Sequence, residues 1–195
     1  MRRELRVGDR MNPNRTAPAS SEVDGVSEAD VRIEPLANAD VAAAVELAVR
    51  VLRVKPGDRG EQFAADITGR CRQMFVAKAN GQVMAYGRIL KLPADEAGPG
   101  TPAGYYLSGL LVDPAWRGRG IGTALTQARL RWAFARTGAV FYVTGADNTA
   151  SLRLHAALGF QEIKRFDSER SAVGVAVLSQ LVRTGSEVRP LITKE

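Results

Sequence analysis

Large apolar residues are sparse before residue 31 and then fall into short, regular patterns. Val31-Arg32-Ile33-Glu34-Pro35 alternates apolar with polar, the period of a half-buried strand. Asn38 is placed to cap a helix whose apolar stripe is Val41, Val45, Ala48 and Leu52, and Lys55-Pro56-Gly57-Asp58 breaks it. A second helix is expected from about Gly60 to Arg72, with Phe63, Ile67 and Cys71 at four-residue steps, which makes Cys71 a core residue. Residues 74–79 and 82–92 read as strands joined by Asn80-Gly81, a two-residue hairpin signal. Residues 93–104 hold Gly and Pro clusters and read as a loop.

A buried strand follows over 105–112, then a glycine-rich turn and a helix over 123–136. Its stripe, Ile121, Leu125, Ala128, Trp132 and Ala135, steps by four and three. A strand at 140–144, a short helix from Asn148, and strands at 160–166 and 172–181 complete the pattern. The order is β-α-α-β-β-β-α-β-α-β-β, an α/β (α+β) chain. Residues 1–30 are rich in Arg, Asn, Pro, Ser, Asp and Glu and read as a disordered tail, 31–182 as one domain, and 183–195 as a second tail.

Composition narrows the class. A chain of 195 residues, 45% hydrophobic, can bury a real core. It has no apolar run of the roughly eighteen residues that a membrane span requires. Arg2 and Arg3 lead no hydrophobic stretch, so neither a Sec nor a twin-Arg signal is expected, and the single Cys71 suits a reducing cytoplasm. One Cys and one His exclude a structural zinc site, and no metal is expected. The net charge is +6. Residues 115–136 carry five arginines and no acid, a patch suited to a polyanion, although Arg131 and Arg136 read as surface residues. No helix-turn-helix or aromatic-basic motif points to nucleic acid.

The densest chemical signal is Val112-Asp113-Pro114-Ala115-Trp116-Arg117-Gly118-Arg119-Gly120-Ile121-Gly122. Strand, glycine turn, helix N-terminus is a physical recipe for holding phosphate: close backbone approach, free N–H groups and the positive end of a helix dipole. A Walker loop would end in Gly-Lys-Ser/Thr, and a Rossmann turn would be spaced G-x-G-x-x-G; this chain shows neither. The turn, with Arg117, Gly120 and Gly122, resembles the acetyl-CoA signature Arg/Gln-x-x-Gly-x-Gly/Ala of the GNAT N-acetyltransferases. A second segment, from Asn148 through Ser151 and His155 to Gly159-Phe160, resembles that family's closing motif, with His155 where the family often has Tyr. Asn148 suits an N-cap and Gly159 a C-cap, and Asn148, Ser151 and His155 share one helix face.

The resemblance implies a GNAT fold: a mixed, mostly antiparallel sheet of six or seven strands with about four helices, the strands at 107–112 and 140–144 parallel and splayed. It implies acetyl-CoA as co-substrate and direct attack by an amine in a ternary complex. The expected cofactor contacts are Leu110, Leu111, Val112, Arg117, Gly118, Arg119, Gly120, Ile121, Gly122, Thr123, Asn148 and Ser151. His155 is the expected acid or stabiliser for the departing thiolate. The strand before the turn lacks the family's Glu, which leaves a water relay through Ser108 or a tyrosine, or a loop carboxylate, as the route for the amine proton. The expected partner is a small-molecule amine, with neither nucleic acid nor membrane; a homodimer stays open. Acids near the implied acceptor site (Glu61, Asp66, Asp95, Glu96, Asp167, Glu169), with Tyr105 and Tyr106, suit a cationic aminoglycoside-type antibiotic. The alternatives are a protein Lys or N-terminal acetyltransferase and a non-catalytic acyl-CoA-binding module.

Overall fold

In the computed structural model, which describes residues 31–97, 101–168 and 174–183, the elements follow the order that the hydropathy pattern predicts. They are β1 (Arg32–Pro35), α1 (Val41–Leu52), α2 (Arg59–Thr68), β2 (Arg72–Ala79), β3 (Gln82–Leu92), β4 (Gly104–Val112), α3 (Ile121–Phe134), β5 (Ala139–Gly145), α4 (Thr149–Ala157), β6 (Gln161–Asp167) and β7 (Val175–Val182). The expected tails at 1–30 and 184–195, and Glu169, lie outside the described residues.

The described strands form one seven-stranded sheet in the order β1-β2-β3-β4-β5-β7-β6. Neighbours are antiparallel except β4 and β5. Strand alternation sends successive side chains to opposite faces. Met74, Val76, Tyr86 and Leu111 pack against Leu47 of α1 and Phe63 of α2. Phe75, Ala77, Met84 and Ala85 pack on the other face, against Ile121, Leu125 and Ala128 of α3. The Asn80-Gly81 hairpin has both residues at positive φ, 50° and 76°, as a tight primed turn requires.

Two irregularities make the site. The β3–β4 register shifts between Tyr86 and Arg88, with Gly109 of β4 at φ 56°. The parallel β4–β5 ladder pairs only Tyr105–Leu107 with Val140–Tyr142. Beyond Leu107 and Tyr142 the two strands part and leave a cleft that opens toward the glycine turn.

Five local expectations are corrected. Asn38 does not cap α1 but opens a short 3-10 turn, Asn38–Asp40, whose last residue precedes α1; the Asp40 carboxylate accepts from the Ala37 N–H at 3.2 Å, pairs with Lys78 at 2.7 Å and makes no side-chain cap bond to α1. The α1 stripe is rotated: Ala44, Leu47 and Ala48 are buried while Leu52, beside the left-handed Arg53 that ends the helix, is 48% exposed. The second helix stops at Thr68, where Gly69 turns extended while its N–H still donates to the Ala65 carbonyl at 3.0 Å. Cys71 therefore lies outside the helix and is exposed. Ala135 is exposed, and the buried end of α3 is Ala133.

Candidate active site

The cleft between the parted strands has a volume of about 1090 Å³ and reaches from the glycine turn to the point where β4 and β5 rejoin. At its mouth the chain leaves β4 through Asp113, whose carboxylate accepts from the Ala115 N–H at 3.0 Å and from Arg50 at 2.6 Å. Gly118 and Gly120 sit at φ 78° and 74°, a region costly for residues with a β-carbon, and Gly120 is the N-cap of α3. Nothing lies within 4 Å of where a β-carbon would stand on either. The turn is thus bare backbone facing open space at a helix N-terminus, a cradle that fits the pyrophosphate of coenzyme A. Arg117 donates through Nε to the Val112 carbonyl at 3.2 Å and lines the mouth.

The lining brings together Ser108, Leu110, Leu111, Val112, Arg117, Gly118, Gly120, Ile121, Gly122, Thr123, Asn148, Ser151 and His155, all expected from sequence. Arg119 falls elsewhere: its guanidinium lies 4.9 Å from the Trp116 ring centroid, and it borders a smaller cavity with Val31 and Ile33. Asn148 caps α4 through its side-chain oxygen, which accepts from the Ser151 N–H at 3.2 Å. Gly159, at φ 91°, turns the chain out of α4.

His155 is 3% exposed. Its ring stacks on Tyr142 at 3.8 Å between centroids, and Phe160 stands edge-on at 5.2 Å. Nδ1 lies 2.8 Å from the Ser151 carbonyl, which can only accept, so the proton sits on Nδ1. Nε2 is then an acceptor, buried and without a partner among the described residues. Burial pushes the imidazole down to about 4; the Ser151 hydrogen bond opposes this and the charge of Arg129 reinforces it. At neutral pH the ring is uncharged and offers the cleft a lone pair.

The acids expected near the acceptor do not converge there. Asp66 is 1% exposed and bound by Arg88 through two hydrogen bonds, at 2.5 and 3.2 Å. Glu61, Asp95, Glu96 and Asp167 are exposed, and none of them lines the cleft. Tyr106 lines it and donates to the Pro102 carbonyl at 2.7 Å, whereas Tyr105 lies against Trp132 on the α3 face. Among the described residues, the charged side chains lining the cleft are Arg117 and Arg129, with no carboxylate.

Arg129, one of the five arginines of the basic stretch over 115–136, is not on the surface: it is 1% exposed. The signal was present. Ile121, Leu125 and Arg129 step by four along one face, and Gly87 interrupts a central strand, as happens where another group approaches closely.

A parallel-parted mixed sheet with a glycine cradle at the mouth of the split defines a coenzyme A-dependent acyltransferase. The chain belongs to the acetyltransferase (GNAT) family, whose model matches residues 46–160. It is similar to the N-alpha-acetyltransferase RimI of Mycobacterium tuberculosis, 30% identical over 133 residues, 68% of this chain and 80% of that protein. Among solved structures, the ribosomal-protein-alanine N-acetyltransferase of Brucella melitensis shares the fold at TM-score 0.64 and 22% identity, covering 78% of this chain and 99% of that one. Arabidopsis thaliana NAA60 in complex with acetyl-CoA does so at TM-score 0.64 and 16% identity, covering 78% and 98%. Among the described residues no helix is long and apolar enough to cross a membrane.

Proposed function

We propose that this acetyl-CoA-dependent N-acetyltransferase acts on the α-amine at the N-terminus of a protein or peptide. The observation that carries the reading is the cleft without a described carboxylate. An α-amine has a pKa near 7.7–8.0, so a useful fraction is neutral and nucleophilic at physiological pH, whereas a lysine ammonium near 10.4 needs a base. The M. tuberculosis relative, named an N-alpha-acetyltransferase, supports the same acceptor. A polycationic aminoglycoside would meet Arg117 and Arg129 in place of the acids expected for it.

The residues then divide the work. The 117–122 turn holds the phosphates through backbone N–H groups and Arg117. The unpaired edge of β4 at Leu110–Val112 takes the pantetheine arm as an added strand would. Ser108 and Tyr106 border the path by which the acceptor enters, with water taking the amine proton. Thiol release measured with free and N-blocked peptides, lysine-containing peptides and an aminoglycoside panel tests the acceptor. Turnover confined to free α-amines is expected, with a rate that rises with pH through a midpoint near 8 to a plateau above about 9. Turnover of aminoglycosides or of N-blocked lysine peptides, without turnover of free N-termini, would overturn the reading.

A further inference from the structure

The apex of the cleft carries a charge for which neither the cradle nor the acceptor path has a use. Arg129 donates through Nη1 to the carbonyls of Arg88 at 3.1 Å and Ser108 at 3.4 Å, the two strands whose register shifts there. Nη2 donates to Thr126 Oγ1 at 2.7 Å, and Nε to Leu125 O at 3.4 Å. A guanidinium has five N–H groups, so one on Nη2 is left over. Among the described residues no carboxylate pairs with it. Burial pushes the group down to about 9, which leaves it a cation at neutral pH.

Burying a charge without a counter-ion is costly unless the site serves an anion. The chain accommodates it deliberately: a β-carbon on Gly87 would stand 2.9 Å from Arg129 Nε. Ser108, whose carbonyl Arg129 holds, follows Leu107, the last β4 residue paired with β5, and Tyr142 opposite it supports His155. An arm entering from the 117–122 turn and lying along β4 brings its reactive end to this apex.

We infer that Arg129 is the electrostatic stabiliser of the coenzyme A thiolate as it leaves, in place of a proton donor. The inference rests on the coenzyme A reading of the cleft and not on the choice of acceptor. The acceptor nitrogen bonds to the thioester carbonyl carbon, the carbon–sulfur bond breaks with its electron pair remaining on sulfur, and the surplus amine proton passes to water. The thiolate forms beside a fixed cation and is protonated by solvent after release. The other polar side chains facing the apex (His155 with its proton turned to Ser151, Tyr106 and Tyr142, both raised by burial, and Ser108) bring no competing charge.

The test reads the sulfur directly. Free coenzyme A bound to the wild-type protein is titrated by the ultraviolet absorbance of its thiolate, with desulfo-coenzyme A as the blank. The bound thiol should ionise below about pH 7.5, against about 8.5 for an ordinary thiol. Arg129→Gln should bring that midpoint back toward 8.5 and lower kcat by about 100-fold, the scale of losing one preorganised stabilising donor. Arg129→Lys, which keeps the charge, should restore most of both. A bound wild-type thiol that ionises at or above the free value overturns the inference and needs no variant to fold. So does an Arg129→Gln protein whose melting point falls while its bound-thiol midpoint stays low, the mark of a purely structural arginine. Failure of coenzyme A to bind at all would overturn the reading of the cleft itself.

Discussion

Acidification should unfold the wild-type protein by a route that a His155→Phe variant lacks. His155 ionises in the folded protein only near pH 4, because it is buried against Tyr142 and Phe160 and close to Arg129. In the unfolded chain it ionises near 6.5. As pH falls from 6.5 to 4, the unfolded state takes up a proton that the folded state refuses, so stability drops progressively and then levels off. Above 6.5 both states are neutral and the group contributes no pH dependence. The gap of about 2.5 in pKa, at 1.36 kcal/mol each, gives a loss of about 3 kcal/mol. Phenylalanine keeps the stack on Tyr142 and removes the unpartnered Nε2. Its stability at pH 7 should therefore lie within about 1 kcal/mol of wild type, the scale of the one hydrogen bond lost. Urea unfolding of both proteins at several pH values between 7.5 and 4.5 provides the measurement. Carboxylates such as Asp113, which its partners hold below the usual range, are common to both and cancel in the difference. Parallel stability curves would refute the reasoning. So would an imidazole resonance of the folded protein titrating near 6.5, an unambiguous observation because His155 is the only histidine.

Gly120→Asp should fold at a cost of about 1–2 kcal/mol for its left-handed backbone, since a β-carbon meets nothing there, yet bind acetyl-CoA about 100-fold more weakly by calorimetry, two tenfold steps of about 1.4 kcal/mol. Gly87→Ala places a methyl group 2.9 Å from Arg129 Nε; a loss of about 1–3 kcal/mol is expected in urea unfolding, and kcat should fall with it as the guanidinium is displaced. Asp66→Ala strands the Arg88 charge and should cost about 3–5 kcal/mol, most of it recovered when Arg88→Met is added, as melting temperatures will report.

The fold was legible because its signals are local and mutually consistent. Asn80-Gly81 can make little other than a tight hairpin, the short apolar runs on either side of it suit strands buried on both faces, and the two glycine-bearing motifs bracket β5. The α1 stripe was misread because its sequence, VAAAVELAVRVL, is apolar on more than one face, so packing rather than periodicity chose the register. Cys71 was misread because a step of four continues past Gly69 in sequence but not in backbone. At the cleft, residue identity could place the cradle, since glycine at positive φ is a backbone requirement. It could not supply the tautomer of His155 or the pairing of Asp66 with Arg88, which depend on neighbours 4 and 22 residues away.

Gly87 and Arg129 explain each other only in three dimensions. A glycine inside a central strand weakens it unless something must approach, and an arginine on the buried stripe of a helix is costly unless something cradles it. Together they place a cation where β3 and β4 slip register and β4 parts from β5. The same apex holds an imidazole that burial keeps neutral and, among the described residues, no acid. An enzyme arranged this way gains little from moving protons at its centre. It suits an amine that is already neutral and a sulfur that can leave as an anion, and both demands are met by an α-amine acceptor and a thioester donor. Among the described residues, a cleft without a carboxylate and a guanidinium without a counter-ion fit one electrostatic design on the reading proposed above, and the bound-thiol titration probes it at the atom where the charge develops.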